Sequence, residues 1–317
     1  MNAQGTTGHD DVDRTARDTP GDGATANETA ADTTTADTAA ADTTAAYEKS
    51  RQWRGGSGHA WADLQEALDT ALRPFEELLV TAVRAAGGHR VLDIGCGAGT
   101  TTLAAARSLG ADGRSVGVDI SEPLIAVARE RARRTRLPAE FLLADAQTYA
   151  FTPDFDTLIS RFGVMFFADP VAAFANLRGA AREGAALRFV AWRGIEENPF
   201  MTTAERAAAP LVPGLPGRDP SGPGQFAFAD RDRVAGVLAD SGWSDITIDP
   251  VDPVCTLPEE HLVAYFTRLG PLGTVFADLP EQLRPRVVDV VRSAFEPYVD
   301  GGMVRYPAAC WLVGARA

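Results

Sequence analysis

The chain is poor in the residues that carry metal, disulfide or nucleic-acid chemistry. Its three cysteines, Cys96, Cys255 and Cys310, are scattered without metal-ligand spacing, which predicts reduced, packed thiols. The four histidines, His9, His59, His89 and His261, form no paired metal motif, so no metal is expected. Lysine is nearly absent: Lys49 stands alone among thirty basic residues, a bias we assign to a GC-rich coding sequence rather than to function. The formal charge is −13 and no basic stripe is present to follow a phosphate backbone, so nucleic acid is not an expected partner. A run of eighteen apolar residues is also missing, as is the apolar core of a secretory signal, so the sequence reads as soluble and cytoplasmic, without a membrane partner.

Large apolar side chains are almost missing from residues 1–46, which are mostly Thr, Ala, Asp and Gly and cannot bury enough surface to offset ordering entropy. They are predicted to be a disordered acidic tail. Residues 1–50 hold ten acids against Arg14, Arg17 and Lys49, a net of −7 out of the −13. Residues 47–317 are enough for one large α/β domain with an inserted cap.

What is present is organised around residues 89–101, His-Arg-Val-Leu-Asp-Ile-Gly-Cys-Gly-Ala-Gly-Thr-Thr. Arg90 to Ile94 is a short strand-forming run, Gly95, Gly97 and Gly99 follow at alternate positions, and a helix-compatible segment begins at Thr100. Such a turn brings main-chain N–H groups against a ligand at a helix N-terminus. A dinucleotide fingerprint would place its third glycine where this chain has Thr100, and a pyrophosphate would be repelled by Asp93. A cationic ligand would be attracted.

The Asp-x-Gly-x-Gly-x-Gly pattern resembles the first motif of class I S-adenosylmethionine-dependent methyltransferases. The resemblance extends over essentially Trp53 to Ala317 and implies a Rossmann-like, doubly wound α/β fold: a seven-stranded, mostly parallel sheet with an antiparallel edge strand, plus an inserted helical cap. It implies S-adenosyl-L-methionine as cofactor, with Asp93, Gly95, Cys96, Gly97 and Gly99 around it.

Later segments fit the same frame. Arg114 to Asp119 reads as a second strand ending in an acid, twenty residues beyond Gly99, near the separation at which such folds place a ribose-binding carboxylate. Asp119 and Ile120 are therefore candidates for the cofactor site. After a third strand, Glu140 to Leu143, the family places an Asp that accepts from the adenine amino group and a following N–H that meets the ring. This implies Asp145 and Ala146, although a loop Asp also forms Asx-turns. The fourth strand runs from Phe155 into Ser160 and Arg161 and an aromatic exit, Phe162 to Phe167, at the switch point where open α/β sheets hold ligands. A helix from Pro170 to Arg182 and a fifth strand from Leu187 to Trp192 complete the regular wind.

Upstream, Trp53 and Trp61 with Gly55, Gly56 and Gly58 between them read either as a loop closing over the ligand or as anchors for an N-terminal arm. Amphipathic helices follow, broken near Pro74. A Pro- and Gly-rich stretch, Asn198 to Gly224, breaks the βα rhythm and opens a cap from about 195 to 300, with helices near 230–241, 259–269 and 281–295. For strands at 245–248 and 308–313, the resemblance implies antiparallel pairing at the sheet edge.

The implied activity is methyl transfer to a small, largely apolar molecule of the bacterial secondary-metabolite kind, with O-, N- or C-acceptor and oligomeric state left open. Candidates for a general base are His59 and His261, neither in a recognisable triad. Two other readings compete: a cyclase or other non-methylating enzyme using the same cofactor fold, and a nicotinamide oxidoreductase, disfavoured by Asp93 and Thr100.

Overall fold

A computed structural model of the chain describes residues 53–218 and 222–317; the expected disordered tail lies outside the described residues. The N-terminal helices are α1 (Gly56–Asp63), α2 (Gln65–Ala71) and α3 (Arg73–Ala86). The regular wind follows as β1 (Arg90–Ile94), α4 (Thr100–Leu109), β2 (Arg114–Asp119), α5 (Glu122–Thr135), β3 (Ala139–Leu143), β4 (Phe155–Arg161), α6 (Pro170–Ala180) and β5 (Ala181–Trp192). Two further strands, β6 (Ser244–Val251) and β10 (Cys310–Arg316), complete a seven-stranded sheet of order β3-β2-β1-β4-β5-β10-β6. β1 pairs in parallel with β2 on one side and β4 on the other, so the chain reverses its direction of winding there, and this is the switch point. The antiparallel strand expected near the edge is β10, which runs against both β5 and β6 while β6 closes the sheet.

Central strands read as continuous apolar runs because both faces are covered: Leu92, Leu158, Ile159 and Leu187 are fully buried. Helices α3 and α4 pack together over β1, β2, β4 and β5, and α6 packs with α8 (Arg231–Asp240) beside β5 and β6. Among the described residues, no helix is long and apolar enough to cross a membrane.

Between β5 and β10 the chain also makes α7 (Pro199–Ala208), β7 (Val254–Pro258), α9 (Leu262–Arg268), α10 (Gly270–Val275), α11 (Arg284–Ala294), β8 (Val299–Asp300) and β9 (Met303–Pro307). This inserted segment is not wholly helical: β7, β9 and β8 form a separate antiparallel sheet that the sequence reading missed. Pro253, Pro258 and Pro307 bound its strands, and proline beside a short apolar run reads as loop until the partner strand, far away in sequence, is known. Buried Asn198 clasps the two ends of the segment, donating to Ala309 O at 3.0 Å and accepting from Ala309 N at 3.0 Å.

The glycine-spaced segment before α2 is a helix from Gly56 rather than the loop expected from its composition. Gly58 suits that helix because a Cβ there would lie 2.2 Å from Trp53 O and 2.4 Å from Ser121 Oγ, the residue that precedes α5. Close packing outweighs glycine's low helix propensity.

The exits of β1 and β4 touch backbone to backbone. A Cβ on Gly163 would sit 2.6 Å from Ile94 O and 2.8 Å from Gly95 Cα, so no side chain fits between the two turns. Gly163→Ala should therefore lower unfolding free energy by about 1–3 kcal/mol, as overpacking does. Gly179→Ala, in α6 with open space around its Cβ, should be neutral or raise it by about 0.5–1 kcal/mol. Urea midpoints of the two variants test this, and a Gly163→Ala midpoint equal to wild type would show that the turns can separate.

Candidate functional site

The site is built on the three glycines after β1. Gly95, Gly97 and Gly99 have φ of 66°, 55° and 81°, left-handed values that cost other residues energy. Each has a separate spatial role. Gly95 meets Gly163, Gly99 accommodates the Phe141 ring at 2.7 Å from its missing Cβ, and Gly97 has open space where a Cβ would be. The N–H groups of Gly95 and Cys96 both donate to Val118 O, at 2.9 and 3.1 Å, which ties the turn to the end of β2.

Two carboxylates bracket this turn. Asp119, at the end of β2, accepts from Gly97 N at 2.9 Å and from Ser121 N at 2.8 Å. Burial raises its pKa and these backbone donors oppose the rise. Asp93 is almost fully buried; its Oδ2 accepts from Thr102 Oγ1 at 2.6 Å, while its Oδ1 is buried with no partner among the described residues. Desolvation pushes its pKa up to about 7, against the Thr102 hydrogen bond and the charge of Arg161. Arg161, at the end of β4, likewise carries a buried Nη1 with no partner among the described residues, its Nη2 standing 3.9 Å from Asp69.

The β4 exit is strained. Phe162 has φ of 63°, an outlier for a bulky residue, and stacks on Trp192 at 4.4 Å with Phe75 edge-on at 4.9 Å. Ser160 bridges the two exits beneath it, its hydroxyl donating to Ile94 O at 2.7 Å and accepting from Gly163 N at 3.1 Å. After β3, Asp145 Oδ1 accepts from Gln147 N at 2.9 Å, an Asx-turn, and Ala146 is buried beside it.

These elements open onto one cavity of about 990 Å³, at the upper end for small-molecule pockets, which are roughly 300–1,000 Å³. Of the residues singled out from sequence, Asp93, Gly95, Cys96, Gly97, Asp119, Ile120, Asp145, Ala146, Arg161, Trp53, Trp61 and His59 line it. Gly99 and Ser160 stand behind its wall, as the packing of Gly99 on Phe141 and the Ser160 bridge describe. His261 is not among the lining residues and is close to exposed Glu260, 3.8 Å away. The exposed His59 ring bonds to Gly55 O at 3.0 Å within its own helix turn. Trp53 packs edge-on against Trp61 at 5.6 Å and Phe166 at 5.4 Å, an aromatic rim at the cavity.

Sequence reasoning missed a polar network beneath that rim. Arg131 on α5 donates to Asp69 Oδ2 on α2 at 2.8 Å, to Ala98 O in the glycine turn at 2.8 Å and to Thr100 Oγ1 at 3.0 Å; Thr100 also donates to Asp69. An arginine near a helix C-terminus and an acid on an amphipathic helix are both ordinary in sequence, so neither residue stands out. The 62-residue separation of the pair leaves no local signal.

A family model described as a methyltransferase domain matches residues 91–184. A demethylmenaquinone methyltransferase of Renibacterium salmoninarum is 29% identical over 184 residues, 55% of this chain and 75% of that protein. An aklanonic acid methyltransferase of a Streptomyces strain is 33% identical over 118 residues, 37% of this chain and 54% of that protein. The chain thus spans between about half and three-quarters of the length of these curated relatives. Among solved structures, magnesium protoporphyrin IX methyltransferase from Synechocystis, with bound SAH, superposes with a TM-score of 0.51 at 13% identity over 86% of this chain and all of that one, a likeness of fold.

The raised pKa of Asp93 gives the protein a pH signature. Between the usual 3.8 and about 7 the unfolded chain releases this proton and the folded chain keeps it, so stability from this group falls as pH rises through that window and is level above it. Asp93→Asn, which never ionises, should gain stability relative to wild type from pH 5 to 7, by up to about 1.4 kcal/mol per pH unit. Urea midpoints of both proteins at pH 5, 6, 7 and 8 check it; a constant difference would mean that Asp93 ionises normally.

Proposed function

We propose that this chain, a class I S-adenosylmethionine-dependent methyltransferase, acts on a small, largely apolar acceptor, methylated in the cavity between the sheet and the inserted segment. The observation that supports this placement of the cofactor is a pair of buried atoms of opposite sign on one cavity, Asp93 Oδ1 and Arg161 Nη1, without partners among the described residues. A zwitterionic amino-acid end satisfies both: the ammonium would meet the carboxylate and the carboxylate the guanidinium. Asp119 would hold the ribose hydroxyls with acceptor capacity left beyond its two backbone bonds, and Asp145 with Ala146 would face the adenine. The open space at Gly97 leaves room for the backbone to approach the ligand.

When bound, the cofactor supplies an electrophilic methyl group on a positively charged sulfur. Stabilising that charge does not favour its loss, so the protein's part is alignment and exclusion of water. Orientation accounts for about 7–11 kcal/mol of barrier in favourable cases, against about 10²–10⁴-fold from a positioned base. The aromatic rim of Trp53, Trp61 and Phe166 is suited to close over the ligand, and the walls around it are mainly apolar. No dedicated base is required of an acceptor that is already nucleophilic.

Release of S-adenosylhomocysteine across phenols, amines and enolisable carbon acids tests the reading, together with product mass. A product heavier by one methyl group supports transfer, an isomer of unchanged mass favours cyclisation, and no release from any class counts against transfer. For the cofactor carboxylate, Asp119→Ala should weaken S-adenosylhomocysteine binding by about 1.5–3 kcal/mol per lost charge-assisted bond at most. Calorimetric affinity within twofold of wild type would place the ribose elsewhere.

A further inference from the structure

The inserted segment supplies the part of the cavity wall where polar groups reappear. Glu205 on α7 and Arg218 form a two-pronged ion pair, Nη2 to Oε1 at 2.6 Å and Nε to Oε2 at 3.0 Å, with side chains 16% and 18% exposed. Arg218 Nη2 also donates to Met201 O at 3.1 Å and Nη1 to Gln225, which leaves one Nη1 N–H without a partner among the described residues. Beside it on α9, the Tyr265 hydroxyl reaches, among the described residues, only the Met201 sulfur at 3.6 Å, a weak acceptor. Burial pushes the Tyr265 hydroxyl up to about 12, so it stays a neutral donor near both charges.

Around these groups the wall is aromatic. Phe200 stacks on Tyr306 at 3.7 Å with their planes 1° apart, and Tyr265 lies 5.8 Å from the same ring. Burying an ion pair here adds little stability over an apolar pair of the same size, whereas a few convergent polar groups in an apolar pocket fix a ligand's orientation. Both spare groups are donors, and Glu205 already cancels the charge of Arg218. The arrangement therefore suits a neutral oxygen acceptor rather than a carboxylate or phosphate.

Resting on the methyl-transfer reading, we propose that Tyr265 and Arg218, the latter held by Glu205, bind a carbonyl oxygen of the acceptor, and that the acceptor is an aromatic ketone. Tyr265 and Arg218 are specificity residues on the part of the cavity wall that the inserted segment supplies.

The test uses full-length protein saturated with S-adenosylhomocysteine and three probes of one shape, 2-acetylnaphthalene, 2-ethylnaphthalene and 2-naphthoate, with affinities from calorimetry. Wild type should take the ketone about tenfold more tightly than the hydrocarbon or the anion, the scale of one or two hydrogen bonds. Tyr265→Phe should erase most of that preference without changing S-adenosylhomocysteine affinity or melting temperature. Glu205→Gln, which leaves the guanidinium charge unbalanced, should shift the preference about tenfold toward 2-naphthoate. A ketone preference that survives Tyr265→Phe, equal binding of ketone and hydrocarbon by wild type, or no gain for the anion in Glu205→Gln overturns the assignment. Failure of wild type to bind S-adenosylhomocysteine at all would overturn the methyltransferase reading first, and this proposal with it.

Discussion

The site depends on one contact, the approach of the β1 and β4 exits at Gly95 and Gly163. Two neighbouring parallel strands whose connections leave in opposite directions open a fork, and its depth is set by how closely the two turns come together. Here they meet main chain to main chain, with the Ser160 hydroxyl bonded to both. That closeness brings Asp93 from one strand and Arg161 from the other onto the same cavity. It also forces Phe162 into a left-handed conformation, a strain held by its stack on Trp192 and its edge contact with Phe75.

From this fork the electrostatics follow. Desolvation raises the pKa of Asp93, and the carboxylate has one hydrogen bond among the described residues where its acceptor capacity allows several. A few residues away the Asp69–Arg131–Thr100 network satisfies its own groups and fixes α2 against the glycine turn. Asp93 and Arg161 differ from that network: each has a buried atom without a partner among the described residues, and both side chains line the cavity. Cavity size then accommodates a nucleoside cofactor with a second small molecule, and the inserted segment shapes the end where the second molecule would lie.

Sequence made the central βα units legible because their signals are local. β1 at Arg90–Ile94, α4 at Thr100–Leu109 and β2 at Arg114–Asp119 fall where apolar runs and glycine punctuation put them. The cavity-lining acids Asp93, Asp119 and Asp145 were legible for the same reason, since strand ends in a doubly wound sheet point to one edge. Three features were not. The β7-β9-β8 sheet pairs segments that proline disguises and that lie some fifty residues apart. Helix α1 runs through Gly56 and Gly58, where packing on Ser121 outweighs propensity. Asp69, Arg131, Glu205, Arg218 and Tyr265 owe their roles to partners that only the tertiary fold supplies.

The central claim is that the fork holds a zwitterion between Asp93 and Arg161, and it is tested most directly by comparing S-adenosylhomocysteine with 5′-methylthioadenosine, which lacks the amino-acid end, in calorimetric titrations. The account predicts that wild type loses at least about tenfold in affinity on that truncation, corresponding to one or two charge-assisted bonds, and that Arg161→Met loses much of this discrimination. Equal affinity of wild type for both ligands would contradict it.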